Sequence, residues 1–296
     1  MFFTTLMSAL AVVGGAEVNG EYPSVVLMHT GSQICSATIL HERWVMTAAH
    51  CWDEVDLTQY PAPPFATVLE ADKMPDDYNS AIPMSPDPRG VQLDEVFVHP
   101  GYESFGFSPN SVAIRTDHSI NDVALVRVAA PLTGPALAVN DTPIDSDWIG
   151  IEPRFVGYGI TSFGGTGAGT KRMVDLPISA ADGDLIETYR PGASLCQGDP
   201  GSPGLLEIDT QLVQLSLASF GRNCDRSNHT RVAANIDWLQ EMMGDELLTI
   251  VSIPAPSPSA PDPVSIQPAS GCASAPGPLG GLSVALGGLL LVARRR

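Results

Sequence analysis

Between residue 12 and about residue 243 the chain is broken into short β-rich runs by Gly, Pro, Asp and Asn. They include PSVVLM (23–28), ATIL (37–40), RWVMTAA (43–49), VALVRV (123–128), PRFVGYG (153–159) and LVQLSLASF (212–220). None is followed by a regular helical partner, so a parallel α/β sheet is excluded and an all-β sandwich or barrel is expected. Only NIDWLQEMM (235–243) carries helical spacing, with Ile236, Leu239 and Met243 on one face. The segment 56–90, dense in Pro and Asp, reads as a long surface excursion. GGTGAGTK (164–171) has Gly-Thr-Lys where a phosphate loop needs Gly-Lys-Thr, and no strand–loop–helix context, so it reads as a surface loop.

Hydrophobic residues make up 44% and charged residues 16%, which supplies a core and excludes disorder of the whole chain. The net charge of −18 would repel a polyanion, so a nucleic-acid partner is excluded. No Cys/His spacing fits a zinc site, and no metal or organic cofactor is expected.

The two ends differ from the middle. Residues 1–11, MFFTTLMSALA, have an apolar run and a small-x-small ending, and read as an export signal cleaved after Ala11, although a basic leader is missing. Residues 244–278 read as a linker, rich in Pro, Ser and Ala from 252 onward, because such a stretch cannot offset its chain entropy by burial. Residues 279–293 are apolar and Arg294–Arg296 follow. As a helix they would span about 22 Å, short of a hydrocarbon core of roughly 30 Å. With Gly271-Cys272 upstream, this tail resembles the Gly-Cys, apolar-stretch and Arg-cluster sorting tails of exported myxobacterial proteins. That resemblance implies processing or anchoring at Cys272 and a cell-surface or secreted destination.

Four further cysteines, Cys35, Cys51, Cys196 and Cys224, allow three pairings. Export would let disulfides persist. Pairing Cys35 with Cys51 would close a short loop, worth about 3 kcal/mol in the chain-entropy model, and would leave Cys196 with Cys224.

Four segments then converge: VVGG (12–15), TAAHC (47–51), NDVALV (121–126) and CQGDPGSP (196–203). In this order they resemble the trypsin/chymotrypsin family of serine proteases across residues 12–243. The resemblance implies a chymotrypsin-like double β-barrel with a C-terminal helix, a peptide or protein ligand, and a monomer. It makes His50 the general base and Asp122 the carboxylate that orients it. Gly198 becomes one backbone donor of the oxyanion hole. A new α-ammonium at Val12 would pair with Asp199, whose buried charge needs a cation. Ser194 becomes the floor of the substrate pocket, Ser219, Phe220 and Gly221 the segment alongside substrate backbone, and Ser227 a wall that narrows the pocket. An acidic floor is missing, so a preference for Lys or Arg is not implied. His29, His41, His99, His118 and His229 lack any such context.

The departure is Pro200, which stands where the family carries its nucleophilic serine. Proline has no hydroxyl to attack with and no N–H to donate. Losing a nucleophile costs about 10⁶ in turnover in a related enzyme, and losing one oxyanion donor about 10²–10³. The expected function is therefore an exported serine-protease homologue with lost or impaired endopeptidase activity and a retained peptide-binding cleft. Two alternatives stand beside it. One is an active endopeptidase, through Ser202 or through a serine misread at position 200. The other is a purely structural surface module.

Overall fold

The computed structural model describes residues 12–78, 87–103, 121–182, 185–246 and 248–256. The expected leader, Cys272, the apolar tail and His118 lie outside these residues.

The first half folds through β1 (Ala16–Glu17), β2 (Val25–His29), β3 (Ile34–His41), β4 (Trp44–Thr47), β5 (Thr67–Leu69), β6 (Val91–Val98) and β7 (Ala124–Val128). Strands β2 to β7 close a barrel in the order β2-β3-β4-β7-β6-β5. All five residues of β2 are buried, which looks at first like a loss of alternation. The pleat explains it, because successive side chains point to opposite faces. Val26 and Met28 enter the barrel core with Ile39, Met46, Leu125 and Val126. Val25 and Leu27 face the other way, onto Val156, Tyr158 and Leu205 of the second half. Each such side chain contributes about 1.5–3 kcal/mol on burial. β2 is therefore the strand that welds the two halves together.

The second half comprises β8 (Ala138–Asn140), β9 (Arg154–Gly157), β10 (Arg172–Asp175), β11 (Ile178–Asp182), β12 (Leu185–Tyr189), β13 (Pro203–Ile208), β14 (Gln211–Arg222) and β15 (Arg226–Arg231). Helix α1 (Ile236–Met243) and β16 (Ile250–Val251) follow. These strands, with β1, form a 10-stranded sheet running β1-β10-β9-β13-β14-β15-β12-β11, to which β8 and β16 attach. The architecture is the expected all-β pair of barrel-like sheets with one short C-terminal helix. Ile236, Leu239 and Met243 form the buried face of α1. Both expected disulfides are present, Cys35–Cys51 with Cα atoms 6.5 Å apart and Cys196–Cys224 with 4.8 Å.

Two expectations need correction. The 56–90 excursion contains β5, whose three residues are all buried and pair with β2 and β6. Its short apolar run was masked by the Pro and Asp on either side. The linker also does not begin at 244. Glu246 accepts a hydrogen bond from Trp44 Nε1, and Leu248 and Ile250 pack on the first barrel. Ile250–Val251 then pair in parallel with β8, and Ile253 is buried beside Ile144 and Trp148. The apolar residues at 248, 250, 251 and 253 supply enough burial to order a segment that composition alone reads as loose.

Candidate active site

His50 sits on a 3₁₀ turn, Ala49–Trp52, immediately after β4 and next to the Cys35–Cys51 bridge. Asp122 lies 72 residues away in sequence, just before β7. Asn121 adopts a left-handed backbone with φ of 60°, and its side chain donates to the carbonyl of Gly101 at 3.3 Å. This strained corner turns Asp122 inward. His50 Nδ1 lies 2.8 Å from Asp122 Oδ2, and the His50 backbone N–H donates to Asp122 Oδ1 at 2.9 Å. A third donor is Ser219, whose hydroxyl bonds Asp122 Oδ2. Ser219 reaches it because the β14–β15 register slips between Ala218 and Phe220, and the extra residue of the bulge is aimed out of the ladder.

Burial alone would push the His50 pKa down. The Asp122 charge and hydrogen bond outweigh it, with a smaller push from Asp53, and the imidazole is held above its ordinary value. Burial likewise pushes Asp122 up, but His50 and the Ser219 hydrogen bond bring it below the usual carboxylate range. The carboxylate fixes the Nδ1 side of the ring, and the imidazole side chain is 26% exposed to solvent.

The loop that follows Cys196 holds its shape through backbone contacts. Ser36 N–H donates to the carbonyl of Pro200 at 2.8 Å, and Ser36 Oγ donates to the carbonyl of Gly198 at 3.1 Å. Gly201 N–H donates to Ala218 O at 2.7 Å. Gly201 has φ of +85°, and a Cβ there would lie 2.0 Å from the Ser36 carbonyl oxygen, so no side chain fits. Gly198, at φ +95°, donates its N–H to no other group among the described residues. Ser202 is buried, and its Oγ packs toward Gly157 and Asp199 with no hydrogen-bond partner among the described residues, His50 included.

Asp199 is fully buried, with Oδ1 on Gly159 N–H at 2.8 Å and Oδ2 on Cys196 N–H at 2.9 Å. Burial dominates these two bonds and the more distant Arg172, and raises its pKa to about 7. Val12 is also buried, and Val13 bridges to Ser194, whose N–H donates to Val13 O at 3.0 Å. With Ala11 still attached, no ion pair joins Val12 to Asp199 among the described residues. Ser194 and Ser227, the expected pocket residues, are both buried and their hydroxyls bond each other at 2.9 Å. Phe220 is half-buried and Gly221 exposed along the same strand.

Three residues escaped the sequence reading. Ser36 clamps the loop at two carbonyls and also accepts from Tyr158 N–H. Arg172, buried, donates to the carbonyls of Gly159, Gly167 and Thr170, so the glycine-rich stretch 164–171 is wound around a guanidinium. His229 is fully buried, stacked on Phe155 with ring centroids 4.4 Å apart, and hydrogen-bonded to Thr188 at 2.8 Å. Burial drives its pKa down to about 3. Nothing in their local sequence marks them: Ser36 acts across more than 120 residues, His229 through packing, and Arg172 by bonding carbonyls of a loop whose path spacing does not show.

A two-barrel fold carrying a His–Asp pair, a glycine-bearing turn after a cystine and a buried aspartate defines a serine-protease-type domain. The Trypsin family model matches residues 12–241, and the chain belongs to that family. Similar proteins include brachyurin of Leptuca pugilator, 25% identical over 253 residues, which cover 79% of this chain and 99% of the relative. Venom serine protease 34 of Apis mellifera is 25% identical over 257 residues, covering 79% of this chain and 59% of the relative.

Proposed function

We propose that this trypsin-family chain is an exported protein that binds peptide or protein segments in its cleft without cleaving them at a protease's rate. The observation that carries this reading is Pro200. It occupies the nucleophile position of the family frame, with its carbonyl held by Ser36 at 2.8 Å. A pyrrolidine ring there removes the attacking oxygen and one anion-stabilising N–H together. His50, Asp122 and Gly198 keep their family roles as base, orienting carboxylate and remaining oxyanion donor. Ser194, Ser227 and the 219–221 strand line the ligand pocket, whose floor is small and uncharged.

Cleavage after Ala11 would free an α-ammonium on Val12, and pairing it with Asp199 would neutralise a buried carboxylate that has two N–H donors and, among the described residues, no ion pair. The paired cysteines fit an oxidising, extracellular destination. Surface retention through the 279–296 tail is part of the same proposal.

The test uses the purified full chain. A fluorophosphonate probe should leave it unlabelled, while peptide pools should bind with measurable affinity by fluorescence anisotropy. Stoichiometric labelling would overturn the reading, because the probe requires an activated serine.

A further inference from the structure

Among the described residues, His50 is oriented as a base and no hydroxyl or thiol is hydrogen-bonded to its outer nitrogen. His50 Nδ1 faces Asp122 Oδ2 at 2.8 Å, so the proton sits on Nδ1 and the lone pair on Nε2. Nε2 makes no hydrogen bond among the described residues, and the side chain is open to solvent at 26%. Asp122 is fixed by three donors, the His50 N–H, the His50 Nδ1–H and the Ser219 hydroxyl. Ser202, the nearest serine along the loop, is buried with its Oγ packed toward Gly157 and Asp199. The group best placed to give its proton to Nε2 is therefore a solvent water.

We propose that the His50–Asp122 pair directs water at activated acyl esters bound in this cleft, hydrolysing them slowly in a single displacement with no acyl-enzyme. The inference rests on the reading of Pro200 as a lost nucleophile. In the step, a water O–H bond breaks and its proton passes to His50 Nε2, while the water oxygen forms a bond to the ester carbonyl carbon. The carbonyl π pair moves onto oxygen, where Gly198 N–H can receive it. Collapse breaks the carbon–aryloxide bond, and the phenolate leaves with that electron pair. The imidazolium then returns its proton to the phenolate or to solvent, leaving carboxylic acid and phenol.

The substrate class follows from what is missing. An amide needs a protonated leaving group and full oxyanion support, and the absent N–H of residue 200 withholds about 10²–10³ of that support. An aryl ester has a leaving group that departs unprotonated near neutral pH. A positioned base adds about 10²–10⁴, enough for such an ester and not for a peptide bond.

The test is p-nitrophenyl acetate hydrolysis by the full chain. The expected progress curve is linear from the first turnover, with no burst and no fluorophosphonate labelling. The rate should rise with pH through an imidazole pKa above the ordinary value, set by Asp122 in contact and Asp53 at longer range against burial. His50→Gln and His50→Ala should each lower it by about 10²-fold or more, measured at a temperature where circular dichroism shows both variants folded. Asp122→Asn, a positioning change, should lower the rate and shift the pH profile together. Rates that survive both His50 variants would overturn this inference and leave the silenced-protease reading standing. A burst with covalent labelling would overturn both.

Discussion

Ser36 grips the loop through main-chain oxygens: its N–H holds the carbonyl of Pro200 at 2.8 Å and its hydroxyl holds that of Gly198 at 3.1 Å. Neither bond consults the side chain at position 200. The frame is thus kept in place independently of which side chain stands at position 200.

Pro200→Ser supplies the hydroxyl and the N–H in one change. Fluorophosphonate labelling should appear, and hydrolysis of peptide amides should rise by at least about 10²-fold, on the cost of the missing donor alone. Labelling by mass spectrometry and peptide turnover check it. A serine variant that stays unlabelled would mean the His50 frame is not in working geometry.

Asp199 and His229 titrate in opposite senses. The folded pKa of Asp199 is raised to about 7 from 3.8, so its contribution is present below pH 4 and lost as pH rises to 7. The folded pKa of His229 is lowered to about 3 from 6.5, so its contribution is present above pH 6.5 and lost as pH falls toward 3. Each amounts to roughly 4–5 kcal/mol at 1.36 kcal/mol per pH unit. In the unprocessed chain the two should largely cancel between pH 4 and 6.5. His229→Phe should expose the Asp199 fall on its own. A chain beginning at Val12 should lose that fall, because the ammonium would stabilise the charged carboxylate. Denaturant midpoints across pH on the three proteins measure this, and identical slopes would refute it.

Ser219→Ala removes one of three donors from a buried carboxylate. A hydrogen bond to a charged group is worth about 1.5–3 kcal/mol, and urea unfolding should show a loss of that size. Crystallography of the variant should show Asp122 still paired with His50, since two donors remain.

Truncation after Gly244 tests the C-terminal strap. It strips Ile253 from the Ile144–Trp148 cluster and removes the Glu246–Trp44 bond. Burial of one large aliphatic side chain is worth about 1.5–3 kcal/mol, so the unfolding free energy from urea titration should fall by at least that. Truncation after Pro256 should leave it unchanged.

What the sequence made legible was local. TAAHC, NDVALV and CQGDPGSP each announce a residue by its immediate neighbours, and the structure joins His50 to Asp122 as those motifs imply. The period of α1 was equally plain in Ile236, Leu239 and Met243. The rest depended on contacts that spacing does not encode. Ser219 meets Asp122 across 97 residues, and only because a bulge redirects it. Arg172 looks like an ordinary strand cation until the loop is seen wound around it. β5 was obscured by its flanks, since three apolar-side residues among prolines and aspartates give no period to count. The segment 248–253 is illegible for a related reason: average composition dilutes the few apolar side chains that decide whether a stretch docks.

Gly201 has a consequence for how this protein could change. Position 201 admits no side chain, because the Ser36 carbonyl and Thr47 fill the space a Cβ would need. Its neighbour at 200 already carries a Cβ, and codons for proline and serine differ by a single base. On the proposed reading, the loop can vary at 200 but not at 201, so the shortest mutational route to a hydroxyl here is a single base change.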